Sequence, residues 1–249
     1  MELNTVICGD CLEIMPKIDN KSVDMILCDL PYGTTACKWD TIIPFEPLWV
    51  QYKRIIKDNG AIVLTASQPF TSALVMSNIK MFKYEWIWEK QKAANFMSLK
   101  YQPAKYHENI VVFSKNKASY YPIMWKVDDG KIDKRKNVID CVNPKDSHYG
   151  TMKIKVRKKD NGTRYPKSIL KINKSINKNI HPTQKPVALF EYLIKTYTNK
   201  YDTVLDNCAG SGTTGLACQN LNRRFILIEK EQKYIDIIKK RLAQGVLNI

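Results

Sequence analysis

Short apolar runs alternate with helical patterns along nearly the whole chain. Runs of strand character fall at residues 5–7, 23–28, 61–65, 84–88, 110–113, 203–205 and 225–228. Most are continuously apolar rather than alternating, as expected of strands covered on both faces. Between them, residues 47–57 bring Leu48, Ile55 and Ile56 to one side and meet a helix-stop signal at Asn59-Gly60. Residues 186–197 carry Val187, Phe190, Leu193 and Ile194 at helical spacing, with a proline near the start. Residues 213–220 and 231–242 complete the helical set. Seven strands alternating with helices predict an α/β fold built on a doubly wound, mostly parallel sheet.

Residues 115–180 break this rhythm. They are rich in Lys, Asn, Asp and Gly, lack hydrophobic periodicity and are too long for an ordinary connection. They are expected to form an inserted recognition region, partly ordered only on its partner, within a core made of residues 1–114 and 181–249. Charge sharpens this picture. The 249 residues carry a net charge of +16. Residues 114–180 hold 18 Lys/Arg against 6 Asp/Glu, a net of +12, and the remainder has 22 against 18. A solvated lysine-rich surface would give the same count, but its concentration in one segment favours a polyanion-facing region, where neutralised phosphates release counterions. No apolar stretch approaches the roughly 18–20 residues of a membrane helix, and the N-terminus has no secretory pattern. The expectation is a cytoplasmic protein with no membrane partner. Its seven scattered cysteines are expected to be free thiols.

Two constellations carry chemistry. Residues 23–28 run into Asp29-Leu30-Pro31-Tyr32-Gly33, placing an acid, a rigid proline and an aromatic at the carboxyl end of a buried strand, where open α/β sheets bind ligands. A structural turn would be the plain alternative. The second is Asp206-Asn207-Cys208-Ala209-Gly210-Ser211-Gly212-Thr213-Thr214-Gly215, after a strand and opening a helix, with Glu229 lying 19 residues beyond Gly210. This is also the spacing of a dinucleotide fingerprint, so a nicotinamide-dependent oxidoreductase is a rival. Only 34 residues follow Gly215, which leaves little room for the further strands of a dinucleotide fold. Under either reading the glycines let backbone approach a ligand and the carboxylate grips ribose hydroxyls. Cys8 and Cys11 form a C-x-x-C, but no second pair completes a metal or redox site, and no metal is expected. His107 and His148 fit surface or structural roles better than catalytic ones.

Asp-Leu-Pro-Tyr near one end and Gly-Ser-Gly near the other resemble the permuted (beta-class) amino-group DNA methyltransferases of adenine-N6/cytosine-N4 type, whose catalytic Asp-Pro-Pro-Tyr motif precedes the cofactor loop. Gly9-Asp10-Cys11-Leu12, His107 to Lys115 and His181-Pro182-Thr183-Gln184-Lys185-Pro186 resemble three further elements of that family, in its order. Leu30 departs from the usual proline, and Asn207-Cys208 from the usual Pro-Phe, which touches cofactor affinity and packing. The resemblance implies a circularly permuted, seven-stranded Rossmann-like methyltransferase sheet, S-adenosylmethionine as cofactor and duplex DNA with a flipped target base as partner. A second copy of the chain and a cognate restriction endonuclease stay open as further partners, and a bacterial or phage origin is implied. Catalysis is carried onto Asp29, Leu30, Pro31 and Tyr32. Cofactor binding is carried onto Asp10 and Cys11 for the adenine, Glu229 for the ribose, and Asp206, Gly210 and Gly212 for the methionine half, with Ser211 and Thr213 in the same loop. Lys185 is expected at the cofactor's carboxylate.

In the family an initial aspartate accompanies adenine N6 and a serine cytosine N4, so Asp29 points to adenine. Cytosine N4 is the first alternative. A DNA-binding module without catalysis would need the basic segment but not Asp29, Tyr32 and the glycines together. An RNA or protein-amide methyltransferase would share the chemistry.

Overall fold

In the computed structural model, residues 1–35, 37, 40–127, 161–173 and 184–246 are described. They divide into two compact units, residues 1–121 with 168–249, and residues 122–167. In the larger unit the chain runs β1 (Thr5–Cys8), α1 (Cys11–Ile14), β2 (Val23–Asp29), α2 (Phe45–Ile55), β3 (Ile56–Ala66), α3 (Phe70–Ser77), β4 (Phe82–Glu89) and β5 (His107–Phe113). In the smaller unit lie β6 (Trp125–Lys126) and β7 (Thr163–Arg164). The larger unit resumes with β8 (Ile169–Lys171), α4 (Val187–Tyr197), β9 (Thr203–Asp206), α5 (Thr213–Asn220), β10 (Arg224–Glu229) and α6 (Gln232–Val246). The strands make one eight-stranded sheet of order β1-β10-β9-β2-β3-β5-β4-β8. Every neighbouring pair is parallel except those of β5, which is reversed against both β3 and β4.

The period-two geometry of strands explains the continuous apolar runs. On β2, Ile26 and Cys28 join α2 and α3 residues such as Leu48, Tyr52 and Leu74 in one core. Met25 and Leu27 face the other way, into a core with Leu193 of α4, Cys218 of α5 and Ile238 of α6. A central strand therefore needs apolar residues at every position. The first strand lies beside the last one, because β1 pairs with β10 in a register that sets Cys8 opposite Glu229.

Three features depart from the sequence pattern. Asn59-Gly60 does not stop a helix: α2 already ends at Ile55, and both residues lie within β3. A Cβ at Gly60 would stand 2.8 Å from the Asp24 carbonyl oxygen, so this glycine serves the close approach of β3 to β2. Helix α3, FTSALVMS, is eight residues long with five of them apolar, too short to show a period. Strand β8, inside the stretch expected to be inserted, adds an eighth strand by pairing with β4.

In the smaller unit, β6 and β7 pair antiparallel, with Trp125 opposite Arg164. The Trp125 indole N–H donates to the Tyr165 carbonyl at 2.9 Å, and the Lys167 ammonium stands 5.3 Å over the indole ring. His148, Tyr149, the lysines of 153–159 and His181-Pro182-Thr183 lie outside the described residues.

Candidate active site

The chain steps outward from β2 to β3 on one side and from β9 to β10 on the other, with β1 beyond β10, so the sheet's switch point lies between β2 and β9. The crevice at the carboxyl ends of such strands is where open α/β sheets bind ligands. A cleft of about 970 Å³ opens there, and Asp10, Asp29, Tyr32, Lys185, Gly210 and Glu229 all line it. Leu30, Pro31, Cys11, Asp206, Ser211 and Thr213 line it too. Of the sequence-predicted positions, only Gly212 is set back: it is the left-handed N-cap of α5, with Ile238 behind it. Because β5 runs backwards, its first residues reach the same edge, and its register sets Glu108 opposite Trp88.

Asp29 ends β2 with both carboxylate oxygens engaged. Oδ1 accepts hydrogen bonds from the Tyr32 hydroxyl at 2.8 Å and from the Thr65 hydroxyl. Oδ2 accepts from the Lys185 ammonium at 2.6 Å. Lys185 is buried, and it also stands 3.3 Å from Glu108, which a second lysine, Lys90, meets at 2.7 Å. Two lysines thus alternate with two carboxylates. Burial by itself would lower the Lys185 pKa, but the Asp29 carboxylate first, and the Glu108 carboxylate with it, outweigh it and hold the ammonium well above its usual range. Burial would likewise raise Glu108, yet Lys185 and Lys90 keep it below the ordinary carboxylate value. Tyr32 is pushed well up, by burial first and by Asp29 second, and stays a neutral donor. Its ring stacks on Phe70 with centroids 5.2 Å apart.

The loop after Tyr32 is held by a residue the sequence did not single out. Asp40 accepts four backbone N–H bonds: Tyr32 at 2.7 Å and Gly33 at 2.9 Å on Oδ1, Thr34 at 2.9 Å and Thr35 at 2.7 Å on Oδ2. Burial opposes its charge, but these donors carry its pKa below the usual value. The catalytic segment is thereby tied to a fixed anion.

The cofactor side is built from two loops. Gly210 has φ +54°, and a Cβ placed on it would meet nothing within 4 Å, so that wall of the cleft is free for a ligand. Glu229 ends β10, accepting Gly210 N–H at 2.8 Å and Glu231 N–H at 2.9 Å. Asp10 caps α1 through the Leu12 N–H at 2.9 Å. Asp206 turns toward the loop that it supports, accepting the Thr214 hydroxyl at 2.5 Å and the Cys208 N–H at 3.1 Å. Burial pushes its pKa up to about 6. Buried Arg241 of α6 donates to Ser211 Oγ at 3.0 Å. Lys185, expected at the cofactor's carboxylate, has its ammonium on Asp29 instead. Asn207, where the family carries proline, accepts the buried Tyr52 hydroxyl at 2.5 Å, and Leu30 is buried. The lining has the chemistry that S-adenosylmethionine requires: an open glycine wall, a carboxylate at the end of β10 able to accept from a diol, and Asp10 with Cys11 in the same cleft.

Thr65, Glu108, Lys90, Asp40 and Arg241 were missed. Glu108 belongs to the 107–115 segment that resembles the family, and the reversal of β5 brings it to the site. Asp40 and Arg241 carry no local signal.

A switch-point cleft that joins an acid-carbonyl-aromatic motif to a glycine loop and a strand-end carboxylate defines an S-adenosylmethionine-dependent methyltransferase of the amino-group class. Residues 23–240 match the family model for the DNA methylases of N6/N4 type, and the chain belongs to that family. It is 29% identical to the type II methyltransferase M.HinfI of Haemophilus influenzae, over 97% of this chain and 69% of that protein. It is 28% identical to M2.MboI of Moraxella bovis, over 94% of this chain and 85% of that protein. The crystal structure of M1.HpyAVI in complex with SAM superposes with a TM-score of 0.62 at 28% identity, covering 96% of this chain and 99% of that one. The nicotinamide reading of the glycine loop is set aside by this membership.

Proposed function

We propose that this DNA methyltransferase is site-specific and transfers a methyl group from S-adenosylmethionine to the N6 amino group of adenine. The observation that carries the reading is the sharing of one cleft by Asp29, Leu30 and Tyr32 with Gly210, Glu229 and Asp10. An exocyclic amine is a poor nucleophile, because its lone pair is delocalised into the ring. Asp29 and the Leu30 carbonyl accept hydrogen bonds from its two N–H groups, which localises that lone pair on nitrogen. The target base leaves the duplex to reach them. The Tyr32 hydroxyl, now on Asp29, yields that acceptor to the amino group as its ring takes up the base. When bound, the cofactor supplies an electrophilic methyl group. Orientation and fixed charge supply most of the rate, and the proton shed by the amine passes to Asp29. Adenine rests on the aspartate that opens the motif.

Residues 115–180 are assigned the reading of the target sequence. The protein's relatives carry type II names, which supports a restriction-modification role in the cytoplasm beside a cognate endonuclease. The test is single-molecule sequencing of DNA from cells expressing the chain and its Asp29→Ala variant. N6-methyladenine at one motif, absent with the variant, is the expected result. N4-methylcytosine would overturn the base assignment, and unmodified DNA the activity itself.

A further inference from the structure

Between β4 and β5, residues 90–106 leave the sheet beside the catalytic cleft. The segment is framed by its own backbone: Lys90 N–H donates to the Tyr106 carbonyl at 2.7 Å and Ala94 N–H to that of Lys105 at 3.0 Å. Asn95 closes the neck, giving Nδ2 to the Pro103 carbonyl at 2.9 Å and accepting the Lys105 N–H at 2.7 Å. Beyond the neck, a short 3-10 turn, Phe96–Ser98, presents its apolar side chains to solvent. Phe96 is 72% exposed and Met97 85%. A framed loop that projects large apolar groups marks a contact surface.

Two observations select the occupant. From Lys90 to Tyr106 the segment carries Lys90, Lys92, Lys100 and Lys105 and no acidic residue, which matches a polyanion. Ala94 and Lys105 also line the cleft that holds Asp29. We infer that this loop is a duplex-opening wedge: Phe96 and Met97 enter the base stack where the target base is extruded, while Lys92 and Lys100 hold the flanking phosphates. Apolar wedges that unstack a base step from a charged frame are a general way to distort a duplex, and here the wedge stands beside the pocket that receives the base. The inference rests on the DNA-methyltransferase reading above.

The test uses the full-length protein, the Phe96→Ala/Met97→Ala double variant and two oligonucleotide duplexes. Both duplexes carry the motif found by sequencing. In one the target base is paired, and in the other it faces an abasic site and is already free to leave the stack. The expected result for the variant is a loss of roughly 10- to 100-fold in kcat/KM on the paired duplex, from the usual cost of unstacking, with near-wild-type turnover on the abasic one. Unchanged turnover on the paired duplex would overturn the wedge, and so would an equal loss on both. A dimer-to-monomer shift of the variant in sedimentation would assign the tip to a second copy of the chain and also overturn it. Wild-type protein inert on both duplexes would strike the underlying reading, a result distinct from failure of the wedge.

Discussion

Lys185 sits between two carboxylates, 2.6 Å from Asp29 and 3.3 Å from Glu108. Replacing it by methionine removes the shared cation and leaves both acids facing each other, partly buried. Breaking a buried pair from one side typically costs about 3–5 kcal/mol, so Lys185→Met should lower stability in chemical denaturation. It should also lower kcat while S-adenosylmethionine affinity stays near the wild type. A large loss of cofactor affinity at unchanged kcat would return the lysine to the cofactor's carboxylate. Asp206 makes a separate prediction about pH. Its folded pKa of about 6 lies above the ordinary carboxylate value, because burial disfavours the charge. The folded state therefore binds more protons in that interval, and the contribution of Asp206 to stability declines as pH rises from about 4 to about 6. Asp206→Asn keeps an acceptor for the Cys208 N–H and turns its amide N–H toward the Thr214 hydroxyl, which can accept, without the charge. Its stability relative to wild type should rise across that window, and a flat difference from pH 4 to pH 7 would argue against a buried, titrating Asp206.

The strand-loop-helix unit β9-α5 divides its glycines between ligand and packing. Gly210 faces open space in the cleft, whereas a Cβ at Gly215 would lie 2.7 Å from Leu227 Cδ1 on β10. Gly210→Ala should weaken cofactor binding by roughly tenfold, as a methyl group occupies the ligand's side of the wall. Gly215→Ala should instead destabilise the fold by about 1–3 kcal/mol, the usual cost of overpacking a core. Calorimetric titration with S-adenosylmethionine and thermal unfolding on both variants would separate the two roles. The β5 element shows the same division differently: a strand reversed against its neighbours delivers its first residues to the edge where the others end, so Glu108 meets the charges of the site.

Across the whole molecule the charge is uneven, with a net of +12 in residues 114–180 out of +16 overall. If residues 115–180 read the target sequence, exchanging them for those of a relative should transfer the methylated motif and leave cofactor affinity unchanged. Lysine-to-alanine changes within 153–159 should weaken binding to every DNA sequence alike. Each lost phosphate contact should lower the slope of log K against log salt by about one. DNA affinity with unaltered salt dependence after these changes would move recognition elsewhere on the molecule.

The doubly wound sheet, the positions of α2, α4, α5 and α6 and the two motif loops were all legible in the chain. Strands covered on both faces must be continuously apolar, and glycine loops between a strand and a helix leave a local trace. The meeting of Asp29 with Gly210 and Glu229 was legible through a family likeness, since no spacing connects residues so far apart. The charge alternation Asp29-Lys185-Glu108-Lys90, the anchoring of the Tyr32 loop by Asp40 and the grip of Arg241 on Ser211 were decided only by the tertiary structure. These contacts join residues whose neighbours in sequence carry no period, and strand order and the reversal of β5 bring them within reach. Asn59-Gly60 marks the same boundary: read locally it ends a helix, but the approach of β3 to β2 requires a glycine inside a strand. Local sequence specified what each segment could become, and long-range packing determined which side chains share a site.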